Sequence, residues 1–162
     1  MRDDKLHALA EEVLTRCRAR HWKLALAESC TGGMVAAALT DIPSASDVID
    51  RGFVTYANQA KVEMLGVPEG TIARHGAVSA ETAAAMAEGA LANAPVDLAL
   101  AVTGIAGPTG GTRDKPVGLV WFAVARLGAG AVTERQVFSG DRAAIRAAAT
   151  RRALELLAAA AS

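Results

Sequence analysis

The sequence predicts an α/β fold: one domain over residues 1–162, built as a three-layer α/β/α sandwich around a mixed, mostly parallel sheet. Three observations support this prediction. Helix-like and strand-like stretches alternate along the chain. Residues 97–102 form an apolar run without polar alternation, which is typical of a strand covered on both faces. Residues 127–130 are too few to form a crossover helix, so the strands on either side of them should form an antiparallel hairpin.

The first half of the chain contains three predicted helices and two predicted strands. Apolar residues recur at helical spacing from Leu6 to Cys17, which predicts an amphipathic helix. Gly32 and Gly33 lead into an alanine-rich helix, and Asn58 is a good N-cap for a short helix that Gly66 should terminate. In order, the predicted elements are a helix at 3–20, a strand at 23–27, a helix to about 39, a strand at 53–56 and a helix to 65.

The second half begins with a predicted turn at 67–70, followed by an alanine-rich helix that starts near Ser79 and ends near 92. Asp141 is expected to cap the last helix. The three predicted strands lie at 97–102, 117–125 and 131–138, and the inner stripe of the last helix comprises Ile145, Ala149, Ala153 and Leu156.

Composition excludes several classes of function. Lys and Arg number 17 and so do Asp and Glu, so there is no basic excess to neutralise the phosphates of a nucleic acid. No run of about 18 apolar residues is present to span a membrane, and the first residues lack the apolar core of a signal peptide. We therefore expect a cytoplasmic protein without nucleic-acid or membrane partners, in a compartment where Cys17 and Cys30 stay reduced.

Two glycine-rich loops are the candidate ligand site. Residues 24–33 predict a buried strand that breaks at Ser29 into a tight turn and a helix, which presents a hydroxyl beside free backbone N–H groups. The second loop, residues 103–111, also follows a strand but matches neither a Walker A motif nor a strict dinucleotide fingerprint. Ligands in open α/β sheets collect beyond the carboxyl ends of strands, so we expect the two loops to share one ligand.

A hydroxyl nucleophile needs a base, and the sequence offers few. His7, His21 and His75 are each interpreted as surface or packing residues, which disfavours a Ser-His-Asp triad. Lys61, close in sequence to Tyr56, remains as a base, although its spacing alone also fits an ordinary solvated helix lysine. No cluster of residues has metal-ligand spacing, and we predict neither a metal nor a cofactor.

Four ordered motifs resemble the CinA C-terminal domain family, whose enzymes are nicotinamide-nucleotide amidases. They are ESCTGG at 28–33, GFVTYANQAK at 52–61, GAVS at 76–79 and TGIAGP at 103–108 with glycines at 110 and 111. The resemblance covers residues 6–157. Larger members of the family carry an additional N-terminal domain similar to molybdopterin-binding domains, so the chain is expected to be the stand-alone amidase form.

The resemblance implies a serine nucleophile, Ser29, assisted by Lys61 and Tyr56. It also implies a reaction, the hydrolysis of the carboxamide of nicotinamide mononucleotide to nicotinic acid mononucleotide and ammonia, in pyridine-nucleotide salvage. The expected partner is thus a small nucleotide, and the chain could also form a homo-oligomer.

Substrate binding is assigned to the two loops and the start of the last helix. The predicted residues are Cys30, Thr31, Gly32, Gly33, Thr103, Gly104, Gly107, Gly110, Gly111 and Arg142. The substrate phosphate could meet the backbone of 104–111, a helix N-terminus, Arg142 or Arg146, and the sequence does not choose among them.

Two alternative functions stay open at this point. The same serine and lysine could act on another amide or ester, because pocket polarity cannot be read from sequence. Alternatively, the chain could be a catalytically silent nucleotide-binding module associated with competence. The presence of Ser29, Tyr56 and Lys61 together favours an enzyme.

Overall fold

The computed structural model describes residues 2–162 as one five-stranded sheet with helices on both faces. The strands are β1 (Leu24–Glu28), β2 (Ile49–Val54), β3 (Leu98–Gly104), β4 (Leu119–Arg126) and β5 (Ala131–Val137). The helices are α1 (Asp4–Ala19), α2 (Met34–Thr40), α3 (Asn58–Leu65), α4 (Glu69–His75), α5 (Ala80–Ala92) and α6 (Arg142–Ala160), with a short 3-10 helix at Ala45–Asp47.

The sheet has the strand order β2-β1-β3-β4-β5. β1 pairs in parallel with both β2 and β3, whereas β4 pairs antiparallel with β3 and with β5. Four of the five strands therefore run in one direction and β4 alone runs against them. This arrangement confirms the mixed, mostly parallel sheet and the final hairpin.

The two faces of the sheet differ in side-chain size. The face toward α1, α2 and α6 presents large residues of the central strands, such as Leu26, Leu100 and Phe122. The opposite face presents mainly alanines, such as Ala27 and Ala101, and α5 packs against it. The strands β1 and β3 are buried on both faces, as predicted from their unbroken apolar character.

Several predicted helix ends are confirmed. Asp3 and Asp141 accept backbone N–H bonds as the N-caps of α1 and α6, and Ser79 does the same for α5. Gly66 ends α3 with a left-handed φ of 66°. Asn58, however, is the first residue of α3 rather than its N-cap, because Ala57 occupies that position.

Two predictions about elements are wrong. The second strand lies at Ile49–Val54 instead of 53–56, because it is an edge strand that exposes most of its residues and so lacks an apolar signal. Residues 67–70 do not form a simple turn: Pro68 is the N-cap of helix α4, with Glu69 in its first turn. His75 is the last residue of this helix.

The topology brings the two glycine-rich loops together. β1 and β3 are neighbouring parallel strands, so the loops that follow their carboxyl ends leave the same edge of the sheet. α3 follows β2 at that edge, and α6 begins beside it. Within residues 2–162, no helix is long and apolar enough to cross a bilayer.

Candidate active site

Ser29 occupies a tight turn between β1 and α2. Its backbone N–H donates to Val102 O at 3.0 Å, which extends the β1–β3 pairing by one residue. The N–H of Gly32 donates back to Ser29 O at 2.9 Å, and Gly32 takes the left-handed φ of 57° that this turn requires. The turn thus holds the Ser29 side chain at the edge of the sheet, 8% exposed.

The side chain of Glu28 holds this turn in place. Its buried carboxylate accepts hydrogen bonds from Thr31 Oγ1 at 2.6 Å, Val35 N at 3.0 Å and Ala36 N at 3.0 Å. These donors belong to the turn and to the first residues of α2, where the helix dipole favours a negative charge. Glu28 is not among the site residues predicted from the sequence, although a carboxylate at the end of a buried strand needs hydrogen-bond partners.

Lys61 points from α3 to Ser29. It lies one turn N-terminal to the buried Leu65, so both side chains share the inner face of the helix. Its Nζ donates to Ser29 Oγ at 3.1 Å and to Thr55 O at 2.7 Å, and the residue is 1% exposed. This position excludes the solvated surface lysine that the spacing alone also allowed.

The environment of Lys61 favours the neutral amine. Burial lowers the pKa of Lys61 below its ordinary value, because desolvation penalises the charged form. The smaller opposing contribution comes from the Cys30 side chain. A lysine with a lowered pKa beside a hydroxyl is the arrangement expected of a general base and its nucleophile.

Cys30 is a poor competitor for the nucleophile. The thiol is buried, and burial raises its pKa to about 12. A thiol with such a pKa is almost wholly protonated near neutrality and reacts slowly.

A cavity of about 280 Å³ opens above Ser29 and Lys61. Six of the predicted substrate-binding residues line it, namely Cys30, Thr103, Gly104, Gly107, Gly110 and Arg142. The side chain of Thr103 is held by a bond from its Oγ1 to Ala77 O at 2.9 Å, so this wall links β3 to the segment before α5.

Four predicted substrate-binding residues do not line this cavity: Thr31, Gly32, Gly33 and Gly111. Thr31 is fully buried, and its hydroxyl is already bound to Glu28. Gly32 and Gly33 shape the turn through positive φ values, and Gly111 packs closely against Val117. Their structural places are explained by backbone geometry and packing.

Arg146 binds the backbone of the turn that carries Ser29. Its guanidinium reaches from α6 to Cys30 O at 3.0 Å and to Thr31 O at 3.3 Å. Arg146 therefore holds the serine turn against α6, with two of its N–H donors bonded to backbone carbonyls.

Tyr56 lies at the cavity but its hydroxyl is not bound to Ser29 or Lys61. Arg142 Nη2 donates to Tyr56 Oη at 2.6 Å, while Arg142 Nη1 donates to Gly107 O at 2.9 Å. Only the backbone of Tyr56 approaches the amine, with its carbonyl O accepting from Lys61 Nζ at 3.5 Å. The role of Tyr56 in assisting Ser29 stays a prediction.

No carboxylate faces the cavity. Among its lining residues, all within the described range 2–162, Lys61 and Arg142 are the basic side chains and none is acidic. No group of three His, Cys, Asp or Glu residues in that range is arranged to hold a metal ion.

Comparisons with known proteins agree on one family. The model of the CinA C-terminal domain matches residues 6–161. The chain is 50% identical over 157 residues to the nicotinamide-nucleotide amidohydrolase PncC of Escherichia coli (strain K12), covering 97% of this chain and 95% of the relative.

Solved structures give the same result. The crystal structure of the competence/damage inducible protein CihA from Agrobacterium tumefaciens superposes with a TM-score of 0.92 at 46% identity, covering 95% of this chain and 94% of the other. A CinA superfamily protein from Klebsiella pneumoniae 700603 superposes with a TM-score of 0.92 at 40% identity, covering 96% and 97%.

Proposed function

Because this chain belongs to the CinA C-terminal domain family, we propose that it hydrolyses the carboxamide of nicotinamide mononucleotide, giving nicotinic acid mononucleotide and ammonia. The observation that carries the proposal is the 3.1 Å contact between the buried Lys61 Nζ and Ser29 Oγ at the floor of a cavity. The name of the similar Escherichia coli enzyme supports the choice of substrate.

The first chemical step joins Ser29 to the substrate. Neutral Lys61 takes the proton of Ser29 Oγ as the oxygen attacks the carboxamide carbon, and a C–O bond forms. The carbonyl oxygen becomes an oxyanion that needs nearby donors. Since the N–H of Gly32 already bonds to Ser29 O, we assign this role to the N–H of Cys30, which lines the cavity.

The second step releases ammonia. Protonated Lys61 gives its proton to the amide nitrogen as the C–N bond breaks, which leaves an acyl ester on Ser29.

The third step hydrolyses this ester. Water attacks the ester carbon, Lys61 accepts one proton of the water, and the Ser29 oxygen leaves with a proton returned from Lys61. The products are a carboxylate and a regenerated enzyme, and none of the three steps requires a cofactor.

Arg142 is the best-placed partner for the substrate phosphate. Arg142 is exposed and lines the cavity, and no carboxylate of the lining neutralises it. Lys61, the other basic residue of the lining, is buried and hydrogen-bonded to Ser29. A neighbouring cavity is lined by Arg142 and Arg146 together with Asp141, but it includes neither Ser29 nor Lys61. A phosphate bound there would lie outside the cavity that holds the candidate nucleophile. Arg146 does not line the cavity above Ser29.

The proposed function is tested by ammonia release. The purified protein is incubated with nicotinamide mononucleotide and with a panel of other amides, and ammonia and the carboxylate product are measured. Ser29→Ala should lose at least about a hundredfold in kcat because it removes a covalent nucleophile, and substrate binding should persist. Cys30→Ser, at the adjacent position, is the matched control and should change kcat only mildly.

The two alternatives give other results in the same assay. Efficient hydrolysis of a different amide alone would indicate another amidohydrolase. Binding of nucleotides without ammonia release from any compound would indicate a silent nucleotide-binding module. Loss of activity in Cys30→Ser but not in Ser29→Ala would contradict the assigned nucleophile.

A further inference from the structure

Tyr56 and Arg142 form a bridge between two sides of the candidate site. The backbone of Tyr56 adjoins the catalytic amine, whereas its hydroxyl is bound by Arg142 from α6 at 2.6 Å. Both residues line the cavity, and Tyr56 is 58% exposed. The phenol is thus held away from Ser29 by a single hydrogen bond at the open side of the cavity.

Resting on the proposed function, we infer that this Tyr56–Arg142 hydrogen bond is a latch that the phosphate of the substrate opens. The phosphate takes Arg142 Nη2 from Tyr56 Oη, and the released phenol turns toward Ser29 and Lys61. Tyr56 therefore acts only when a phosphorylated substrate is bound, and Arg142 determines specificity through catalysis as well as through affinity.

The exchange at Arg142 is favoured by charge. The Arg142 guanidinium is charged in its bonds to either acceptor, but only a phosphate dianion adds the attraction between opposite charges and can accept two parallel N–H bonds. Among the cavity-lining residues of the described range, Arg142 is the basic side chain that does not contact Ser29. Its Nη1 already bonds to Gly107 O, so we take Nη2, which holds the phenol, as the nitrogen that the phosphate engages.

The movement of Tyr56 meets little resistance. An exposed side chain changes its rotamer on the picosecond-to-nanosecond timescale, and the backbone of Tyr56 already lies beside Lys61 Nζ. In the opened latch, a change of the Tyr56 side-chain rotamer exchanges Arg142 for Ser29 and Lys61 as the neighbours of Tyr56 Oη.

The first test separates the nucleotide into its parts. Hydrolysis of nicotinamide riboside is measured with and without inorganic phosphite, a dianion that mimics the missing phosphate. We expect saturating phosphite to raise kcat/KM for the riboside at least about tenfold, since the dianion opens the latch without being attached to the substrate. Arg135→Ala, which removes an exposed arginine of β5, should keep this activation.

The variant Tyr56→Phe distinguishes a latch from simple phosphate binding. This variant keeps the ring but cannot form the latch, so phosphite should no longer activate riboside hydrolysis, while it still competes with nicotinamide mononucleotide. Activation of Tyr56→Phe equal to that of the wild type would overturn the inference. So would competition by phosphite without activation in the wild type.

The second test does not depend on turnover. Tyr56 is the one tyrosine of the sequence, so labelling tyrosine with ¹³C at the ring carbon that bears the hydroxyl gives a single NMR signal. Phosphite should shift this signal in the wild type and leave it unchanged in Arg142→Ala. An unshifted wild-type signal at phosphite concentrations that inhibit nucleotide hydrolysis would overturn the latch, whereas absence of nucleotide hydrolysis would instead overturn the proposed function.

Discussion

At the residue scale, the neighbouring residues Ser29 and Cys30 differ in their expected reactivity. Both line the cavity, but burial raises the pKa of the Cys30 thiol to about 12, while the Ser29 hydroxyl lies 3.1 Å from an amine. A serine hydroxyl is unreactive without a base, and Lys61 supplies one only when it is neutral. The proposed choice of Ser29 as nucleophile therefore rests on the burial of Cys30 and Lys61 rather than on the intrinsic reactivity of sulfur and oxygen.

The pH dependence of catalysis should report the neutral form of Lys61. Because burial lowers the pKa of Lys61, kcat/KM is expected to rise with pH through an apparent pKa below the ordinary value of about 10.4. Activity should be lost as the pH falls through that value. In Lys61→Met, kcat should drop by at least about a hundredfold and the rising limb should disappear. A pH-rate profile of both proteins measures this, and near-normal turnover of the variant would contradict the role.

The same burial affects folding. Between the folded and unfolded pKa values of Lys61, the unfolded chain binds more protons, so stability rises with pH until the unfolded value of about 10.4 is reached. Below the folded-state pKa, Lys61 is charged in both states, and the free energy of unfolding is lowered by the full cost of burying the charged amine. Denaturant titrations should show the difference in unfolding free energy between Lys61→Met and the wild type changing across this window.

Glu28 should matter for both stability and rate. In Glu28→Gln, one of the two acceptor oxygens becomes an NH₂ group facing donors, so a bond to Thr31, Val35 or Ala36 is lost. We expect about 1–3 kcal/mol less stability and a lower kcat, because the serine turn loses an anchor. Glu69→Gln, an exposed carboxylate in the first turn of α4, is the control and should change stability by less than about 0.5 kcal/mol. Equal effects of the two variants on stability and kcat would remove the special role of Glu28.

At the element scale, the position of Lys61 depends on how closely α3 approaches α5. Gly89 of α5 lies against the end of α3, and a Cβ at that position would come within 1.9 Å of Leu65 O. Leu65 and Lys61 lie on the same buried face of α3. The absence of a side chain at residue 89 thus allows the close approach of α5 to α3, the helix that carries Lys61.

Two glycine-to-alanine variants test this packing. Gly89→Ala should lower stability by about 1–3 kcal/mol and also lower kcat, because the overlap with the α3 backbone outweighs the helix propensity of alanine. Gly70→Ala, in α4 with open space around it, should instead raise stability by up to about 1 kcal/mol and leave kcat unchanged. Urea unfolding and steady-state assays of both variants compare them directly, and shifts of equal sign would contradict the packing argument.

The predictability of each element followed the strength of its local signal. α1 and α6 have long apolar stripes and capping aspartates, and both were predicted to within a few residues. The predicted position of β2 is wrong because an edge strand containing Asp50 and Arg51 shows no alternation of apolar residues. α4 was missed because Pro68 and Gly70 are typical of turns, whereas Pro68 here precedes the first turn of a helix.

At the scale of the whole molecule, the topology assembles residues that the sequence separates. Ser29 and Lys61 could be proposed from motifs, but their 3.1 Å contact follows from β1 and β2 lying side by side, with α3 folding back over their edge. The contact of Arg142 with Tyr56 joins positions 86 residues apart, and no local pattern predicts it. Likewise, no local pattern predicts that the hydroxyl of Thr31 donates to the Glu28 carboxylate and is therefore buried inside the turn.

The arrangement of charge over the whole cavity predicts selection for a phosphorylated substrate. Arg142 stands at the exposed side and the Ser29–Lys61 pair at the buried side, so a nucleotide can place its phosphate and its carboxamide at opposite ends. We expect kcat/KM for nicotinamide mononucleotide to exceed that for the riboside or free nicotinamide at least about a hundredfold, or roughly 2.7 kcal/mol of transition-state stabilisation. Assays of the three compounds at fixed ionic strength measure it. With the phosphate assigned to Arg142, Arg142→Ala should reduce this preference, and equal efficiencies in the wild type would mean that the cavity has no productive phosphate site.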